Sequence, residues 1–154
     1  MTATSNPLFA NLRVVELASM ILAPSAAVIL ADYGAEVIKI EPPKTGDLNR
    51  HWHKINGLPI SDMAYGFQVD NRNKKSVVLD LKTPAAYEAL CRIIREADVL
   101  ITNYRLKALD KLKLDYETIR ALNPRIIYAL ATGFGEEGEE AHKPGYDTVS
   151  YWSR

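Results

Sequence analysis

The stretch that decides the fold runs Arg13-Val14-Val15-Glu16-Leu17, then Pro24-Ser25-Ala26-Ala27-Val28-Ile29-Leu30-Ala31-Asp32-Tyr33-Gly34, then Glu36-Val37-Ile38-Lys39-Ile40-Glu41. The first and last pieces are short and β-branched, as buried strands are, while the middle piece carries apolar residues at helical spacing. Pro24 suits an early helical position, where a missing N–H is no loss, and Gly34 falls where a left-handed C-cap costs least. Pro42 and Pro43 close the second strand because they bring no amide hydrogen to a ladder. Together these pieces make one β-α-β unit.

The alternation continues outward. Ser76-Val77-Val78-Leu79-Asp80-Leu81 reads as a strand, and Thr83-Pro84 supplies an N-cap and a first-turn proline. Tyr87, Leu90, Cys91, Ile94 and Ala97 recur at helical spacing, and Asp98-Val99-Leu100-Ile101-Thr102 is the next strand. Asp115 opens a short helix that must end near Asn123-Pro124, and Arg125-Ile126-Ile127-Tyr128-Ala129-Leu130-Ala131 is the fifth strand. Residues 42–75 carry only a weak pattern, with a short helix expected near residues 61–67, because so long a structureless loop is uncommon in a small domain. Strands separated by helical crossovers imply an α/β, Rossmann-like parallel sheet with helices on both faces. Ligands of such sheets gather beyond the carboxyl ends of the strands, which here means the segments after Leu17, Glu41, Leu81, Thr102 and Ala131.

Length and composition bound the functions. The 154 residues fit one globular domain, and 47% hydrophobic with 25% charged residues excludes disorder. Nineteen Lys and Arg balance nineteen Asp and Glu, so no global field favours nucleic acid or an anionic membrane. One cysteine, Cys91, admits no internal disulfide and reads as a buried small hydrophobe. With three histidines it also falls short of a structural zinc set, and His51-Trp52-His53 reads as surface rather than metal site. The N-terminus has no basic region followed by an apolar one, and no apolar run approaches the ~20 residues of a membrane span, so the expected location is cytoplasmic.

Two motifs bear on chemistry. Gly133-Phe134-Gly135-Glu136-Glu137-Gly138 fits G-x-G-x-x-G after a strand. It leads into Glu139-Glu140-Ala141-His142-Lys143-Pro144-Gly145 rather than into a helix, and its glutamates would repel phosphate, so it reads as a flexible loop. Asn103-Tyr104-Arg105-Leu106-Lys107-Ala108-Leu109-Asp110-Lys111-Leu112-Lys113 sets Arg105, Lys107, Lys111 and Lys113 against Asp110 alone. Directly after a strand, such cations can hold phosphate while an aromatic carries a purine; the alternative is a solvated helix face. Asn71-Arg72-Asn73-Lys74-Lys75 with Lys82 forms a second basic cluster, read as a surface loop. From the residues alone the chain is an anion-binding α/β domain with no Ser/His/Asp or Cys/His set.

Several collinear segments resemble the class III CoA-transferase family, which includes formyl-CoA transferase, carnitine CoA-transferase and α-methylacyl-CoA racemase. They are Leu12-Arg13-Val14-Val15-Glu16-Leu17 with Ala23-Pro24; Leu30-Ala31-Asp32-Tyr33-Gly34-Ala35-Glu36-Val37-Ile38-Lys39-Ile40-Glu41-Pro42-Pro43 with Gly46-Asp47 and Arg50; and Asn73-Lys74-Lys75-Ser76-Val77-Val78-Leu79-Asp80-Leu81-Lys82. Further on come Ala97-Asp98-Val99-Leu100-Ile101-Thr102-Asn103-Tyr104-Arg105, Leu114-Asp115-Tyr116-Glu117, Asn123-Pro124-Arg125-Ile126-Ile127-Tyr128, the glycine motif after Thr132, and Pro144-Gly145-Tyr146-Asp147.

The resemblance implies a CoA-binding large domain, of which residues 1–154 are the N-terminal part, in an enzyme that moves CoA from an acyl-CoA to a carboxylic acid through an aspartyl mixed anhydride. Family members form interlocked homodimers and use CoA or acyl-CoA as substrate, with no permanently bound cofactor and no metal. Carried over by position, the backbone at Ile21 and Leu22 would approach pantetheine, and Leu79 and Lys82 would lie along the nucleotide. Asn103, Tyr104, Arg105 and Lys111 would cradle adenine and phosphates, and Tyr146 and Asp147 would sit near the thioester. Pro42 stands where the family often has Arg, and Leu106-Lys107 replaces a common Pro-Gly. The family's nucleophilic aspartate, small domain and C-terminal return are expected beyond Arg154, so no catalytic residue is assigned and activity of the chain alone is expected to be absent. Tyr146 stands where racemases carry His, which disfavours racemisation, and the motifs look most like the branch acting on 2-hydroxy acids. The alternatives are a non-catalytic CoA-binding or partner-binding module and a non-functional fragment.

Overall fold

Residues 7–54, 57, 59–146 and 152 are described in the computed structural model. They build a five-stranded, wholly parallel sheet from β1 (Arg13–Leu17), β2 (Glu36–Glu41), β3 (Lys75–Val78), β4 (Val99–Thr102) and β5 (Ile127–Leu130), ordered β3-β2-β1-β4-β5. Chain order reverses at β1: β2 lies on one side of it and β4 on the other, which makes the β1/β4 boundary the switch point of the sheet.

Helices cover both faces, as their crossovers require. α1 (Leu22–Asp32) and α2 (Tyr65–Asn71) belong to one face, and α3 (Pro84–Arg95), α4 (Leu106–Leu112) and α5 (Tyr116–Leu122) to the other. The period-2 alternation of the strands sorts the core accordingly. Val15, Leu17, Ile40 and Leu100 meet Leu90, Ile94, Leu109 and Ile119, while Val14, Val37, Val99 and Ile101 meet the alanines of α1. Ala23, Ala27 and Ala31 let α1 approach the sheet closely.

Local signals set the helix ends. Thr83 Oγ1 accepts from Ala86 N with Pro84 at the first helical position, and Asp115 Oδ1 accepts from Thr118 N at 2.9 Å. α1 ends in a Schellman motif: Gly34 N donates to Ala31 O at 2.9 Å and Ala35 N to Leu30 O at 3.0 Å, with Gly34 at φ +100°.

The irregular stretch departs most from expectation. The helix foreseen at residues 61–67 lies at Tyr65–Asn71, and a 3-10 helix at Leu48–Lys54 had no periodic signal. β3 stops at Val78 rather than Leu81, because the chain turns at Asp80, whose carbonyl accepts from Thr83 N. Lys74, foreseen on a surface loop, is buried to within 2% at its side chain. His53 is likewise buried while His51 is exposed, so only one of the two fits the surface reading. Cys91 is buried on α3 as foreseen.

A methyl group at position 34 would stand 2.3 Å from Pro7 Cβ, on a backbone conformation that favours glycine. Gly34→Ala is therefore expected to lower unfolding stability by about 1–3 kcal/mol in urea titrations. A loss below the scatter of the titration would show that the segment around Pro7 yields without cost.

Candidate functional site

The loops leaving the carboxyl ends of β1, β4 and β5 enclose a cleft of about 560 Å³ at the switch point. That volume lies in the range of small-molecule and cofactor sites. Its walls come from Ser19 to Leu22 after β1, Asn103 to Leu106 and Ala108 after β4, Ala131 to Gly133 after β5, the segment from Lys143 to Tyr146, and Trp52 and Ala141.

The loop after β1 is held by side chains from elsewhere in the chain. Asn103 grips Ser19 at both ends of its amide, Nδ2 donating to Ser19 O at 2.7 Å and Oδ1 accepting from Ser19 N at 3.1 Å. Thr102 Oγ1 donates to Leu17 O at 2.8 Å and accepts from Tyr104 N at 3.2 Å, which fixes the first residues beyond β4 against the end of β1. Met20 adopts φ +71°, a left-handed conformation costly for a residue with a side chain. Its N–H donates to Asp47 Oδ1 at 3.1 Å, and its carbonyl accepts from Asn49 Nδ2 at 3.4 Å.

Beneath this loop lies a buried chain of charges. Glu16 and Lys39 are register partners on β1 and β2, and Lys39 Nζ reaches Glu16 Oε1 at 2.6 Å, Asp47 Oδ2 at 2.7 Å and Ala18 O at 2.9 Å. Lys74 Nζ reaches Glu16 Oε2 at 2.7 Å and also donates to the carbonyls of Pro24 and Asp70. Burial lowers the Lys74 ammonium from its usual range, with the Glu16 carboxylate opposing that shift. Two cations and two carboxylates, each at most 2% exposed at the side chain, leave the cluster neutral.

A second ionic centre orders the segment after β2. Glu41 receives Arg50 in two parallel bonds of 2.7 Å, Ser76 Oγ at 2.6 Å and Asp47 N at 3.0 Å, and the Arg50 guanidinium lies 3.7 Å from the Phe67 ring centroid. Burial alone would raise the Glu41 carboxyl, but these donors and the Arg50 charge outweigh it and bring it down to about 2. At Tyr104, burial first and the carboxylates of Asp47 and Glu16 next raise the phenol above its ordinary value.

The cleft unites six residues singled out in the sequence: Ile21, Leu22, Asn103, Tyr104, Arg105 and Tyr146. Leu79, Lys82 and Lys111 do not line it. Leu79 packs on the core beyond β3, Lys82 is exposed in the turn before α3, and Lys111 is exposed on the last turn of α4. Asp147 lies outside the described residues. Asn103, foreseen as a cradle for the ligand, has its amide engaged by Ser19, which leaves one Nδ2 hydrogen for any ligand. Trp52, dismissed with its histidine neighbours, reaches the cleft wall. The positions Ser19 and Thr132 could have been found from their place just beyond predicted strands; Trp52 and Asp47, inside the patternless segment, could not. The glycine motif opens no helix, with Gly135 and Gly138 at positive φ in a loop.

Comparison with known proteins agrees with this geometry. The profile of CoA-transferase family III matches residues 9–153. The chain is 42% identical over 148 residues to a cinnamoyl-CoA:phenyllactate CoA-transferase of Clostridium sporogenes, covering 96% of this chain and 36% of the relative. It is 43% identical to a succinate–glutarate CoA-transferase of Agrobacterium fabrum, covering 93% of this chain and 36% of that one. Among solved structures, a CaiB/BaiF family protein from Brucella suis superposes with a TM-score of 0.81 at 42% identity, over 90% of this chain and 36% of its own. The chain thus spans little more than a third of the length of these relatives.

Glu41 stabilises the fold through its ionised form. With its carboxyl lowered from 4.5 to about 2, that contribution is complete above pH 4.5 and drains away as pH falls towards 2. Glu41→Gln should lose stability at neutral pH and flatten the acid limb between those values in denaturation titrations, whereas an unchanged acid limb would place the acid-sensitive group elsewhere. Glu16→Gln takes the carboxylate from Lys74 and leaves Lys39 only Asp47, so one buried positive charge goes uncompensated, which should cost about 3–5 kcal/mol at pH 7; a cost under about 1 kcal/mol would mean that water reaches the cluster.

Proposed function

Since the chain belongs to CoA-transferase family III, we propose that it forms the N-terminal part of the large domain of an enzyme that transfers CoA from an acyl-CoA to a carboxylic acid, and that its cleft is part of the CoA site. The observation that carries this reading is the cleft at the β1/β4 switch point, where the backbone at Ile21 and Leu22 faces Asn103, Tyr104 and Arg105 across one hollow. Ligands of open parallel sheets bind at such crevices.

CoA is long, with a diphosphate-bearing nucleotide at one end and a thiol at the other, so its contacts are not confined to one hollow. Arg105 gives the cleft positive charge, Lys143 in its lining is paired with Glu140, and Lys111, exposed on α4, extends the charge of Arg105. On the other side, Leu79 and Lys82 follow β3, which at roughly 4.8 Å per strand is about 10 Å from β1, within reach of an extended ligand. In this reading Tyr146 and Asp147 stand near the thioester. Met20, Ile21, Leu22, Trp52 and the two tyrosines give the cleft apolar walls, and we assign the acceptor as a 2-hydroxy acid, because the Clostridium sporogenes relative is a cinnamoyl-CoA:phenyllactate CoA-transferase.

In the full-length enzyme an aspartate C-terminal to Arg154 is the proposed nucleophile. Its carboxylate attacks the thioester carbonyl, the C–S bond breaks, and CoA leaves as thiolate from an acyl-aspartyl anhydride. The thiolate attacks the aspartyl carbonyl of the anhydride, which releases the first acid and leaves an aspartyl-CoA thioester. The acceptor carboxylate attacks that thioester, displacing the thiolate and forming a second mixed anhydride. The thiolate then attacks the acceptor's carbonyl, which releases the new acyl-CoA and restores the aspartate carboxylate. CoA carries its own reactive sulfur, so the protein's part is to position and to stabilise charge. We take the working enzyme to be a cytoplasmic homodimer.

Titration of CoA into the 154-residue chain by calorimetry should give saturable heat that weakens with salt. Arg105→Ala should reduce affinity about tenfold, the worth of one charge-assisted phosphate contact. Absence of heat at millimolar CoA would overturn the reading, and unchanged affinity in Arg105→Ala would move the phosphates away from α4.

A further inference from the structure

Five backbone N–H and carbonyl groups of the loop after β1 are held by side chains that lie far away in sequence. Lys39 Nζ donates to Ala18 O, Asn103 takes both the N–H and the carbonyl of Ser19, Asp47 Oδ1 accepts from Met20 N, and Asn49 Nδ2 donates to Met20 O. Left to itself, a methionine abandons φ +71°, since its Cβ is crowded there. The loop therefore keeps its shape only while something outside it opposes that preference. Asp47 is the group best placed to do so. Its Oδ1 holds the amides of both Met20 and Asn49, its Oδ2 rests on Lys39 at 2.7 Å, and its side chain is fully buried.

From this we infer that Asp47 is a positioning residue for the cleft: anchored on the Glu16–Lys39 pair, it holds Met20 in the left-handed conformation and so fixes the backbone at Ile21 and Leu22 that forms the wall facing Tyr104 and Arg105. The inference rests on the CoA-binding reading for its consequence in affinity, but the clamp itself is a property of the free chain. Asp47 does not line the cleft. It acts through Met20, and Asn49, ordered by the same carboxylate, acts on the other side of the same residue.

A merely structural aspartate and a positioning one differ in how they couple to position 20. Met20→Ala and Met20→Gly both remove the thioether chain, but only glycine also loses the Cβ and adopts φ +71° without an external hold. Asp47→Asn should weaken CoA binding about tenfold in the parent and in Met20→Ala, and less than about threefold in Met20→Gly, whereas its effect on melting temperature, which reports the unbalanced Lys39, should be the same in all three. Equal losses of affinity in the alanine and glycine backgrounds would overturn the proposal. Methyl spectra of Ile21 and Leu22 read the loop without ligand: Asp47→Asn should shift and broaden them in Met20→Ala and leave them sharp in Met20→Gly. If the parent gives no heat with CoA, the CoA reading fails while these spectra still decide the clamp. Should Asp47→Asn not fold, Asn49→Ala, which removes the hold on Met20 O together with a donor to Asp70 Oδ2 but leaves the Lys39–Asp47 pair intact, should show the same dependence on residue 20 in the spectra. Spectra of Asn49→Ala that are identical in the two backgrounds would count against the clamp.

Discussion

The buried contact between Glu16 and Lys39, 2.6 Å apart on adjacent strands, is the constraint on which the site depends. Ion pairs withdrawn from water gain little net stability, because desolvation consumes most of the Coulomb energy, and an apolar pair of equal volume often does as well. What the pair supplies is placement. Lys39 passes from Glu16 to Asp47 and Ala18 O, and Glu16 passes to Lys74, so four charges tie β1, β2, the segment after β2 and the approach to β3 into one arrangement. A slip of one residue between β1 and β2 would turn Glu16 and Lys39 away from each other and leave both charges unpaired.

The sheet divides its two faces by chemistry as well as by position. On the face of α3 to α5 the packed core residues are apolar, as with Val15, Leu17, Ile40 and Leu100, and a buried polar side chain there is Thr102 at the end of β4. On the α1 face the strands begin apolar, at Val14 and Val37, and turn charged towards their carboxyl ends, at Glu16, Lys39 and Glu41. The change falls at the edge where the cleft opens. Loops there carry backbone groups that no ladder satisfies, and side-chain charges at the strand ends bring the acceptors and donors those groups need. Glu41 does this for Asp47 N, Lys39 for Ala18 O, and Asp47 in turn for Met20 N.

This also explains which parts were legible in the sequence. β1, β2, β4 and β5, with the caps at Gly34, Thr83 and Asp115, follow from periodicity and local backbone chemistry, which single segments carry. Between 42 and 75, the described residues are placed by partners outside their own segment of chain: Glu41 with Arg50 and Ser76, Asp47 with Met20, Asn49 with Asp70, Lys74 with Glu16. Periodicity is blind to such order, so Lys74 looked like surface and Trp52 like an incidental neighbour of histidines. The resemblance quoted Gly46-Asp47 and Arg50 as matching residues without a role. At the site itself, the cation cluster after β4 pointed to a loop that lines the cleft, but the amide at its head, Asn103, serves the protein backbone before any ligand.

Neutrality of the buried cluster has a consequence for the cleft above it. Were Asp47 or Glu16 uncompensated, a carboxylate close beneath the loop would oppose a polyanionic ligand in a region of low dielectric, where screening is weak. Lys39 and Lys74 cancel that charge at 2.6–2.7 Å, and Lys143 in the cleft lining is paired with Glu140, so the solvent-facing cations at the opening are Arg105 and, beyond it, Lys107 and Lys111. The protein therefore uses its buried carboxylates to shape the loop while leaving the electrostatics of the opening to exposed residues. The formal charge of zero conceals this division: the carboxylates under the cleft are neutralised in place, and the exposed glutamates at 136, 137, 139 and 140 balance the basic stretch from Arg105 to Lys113 only in the sum.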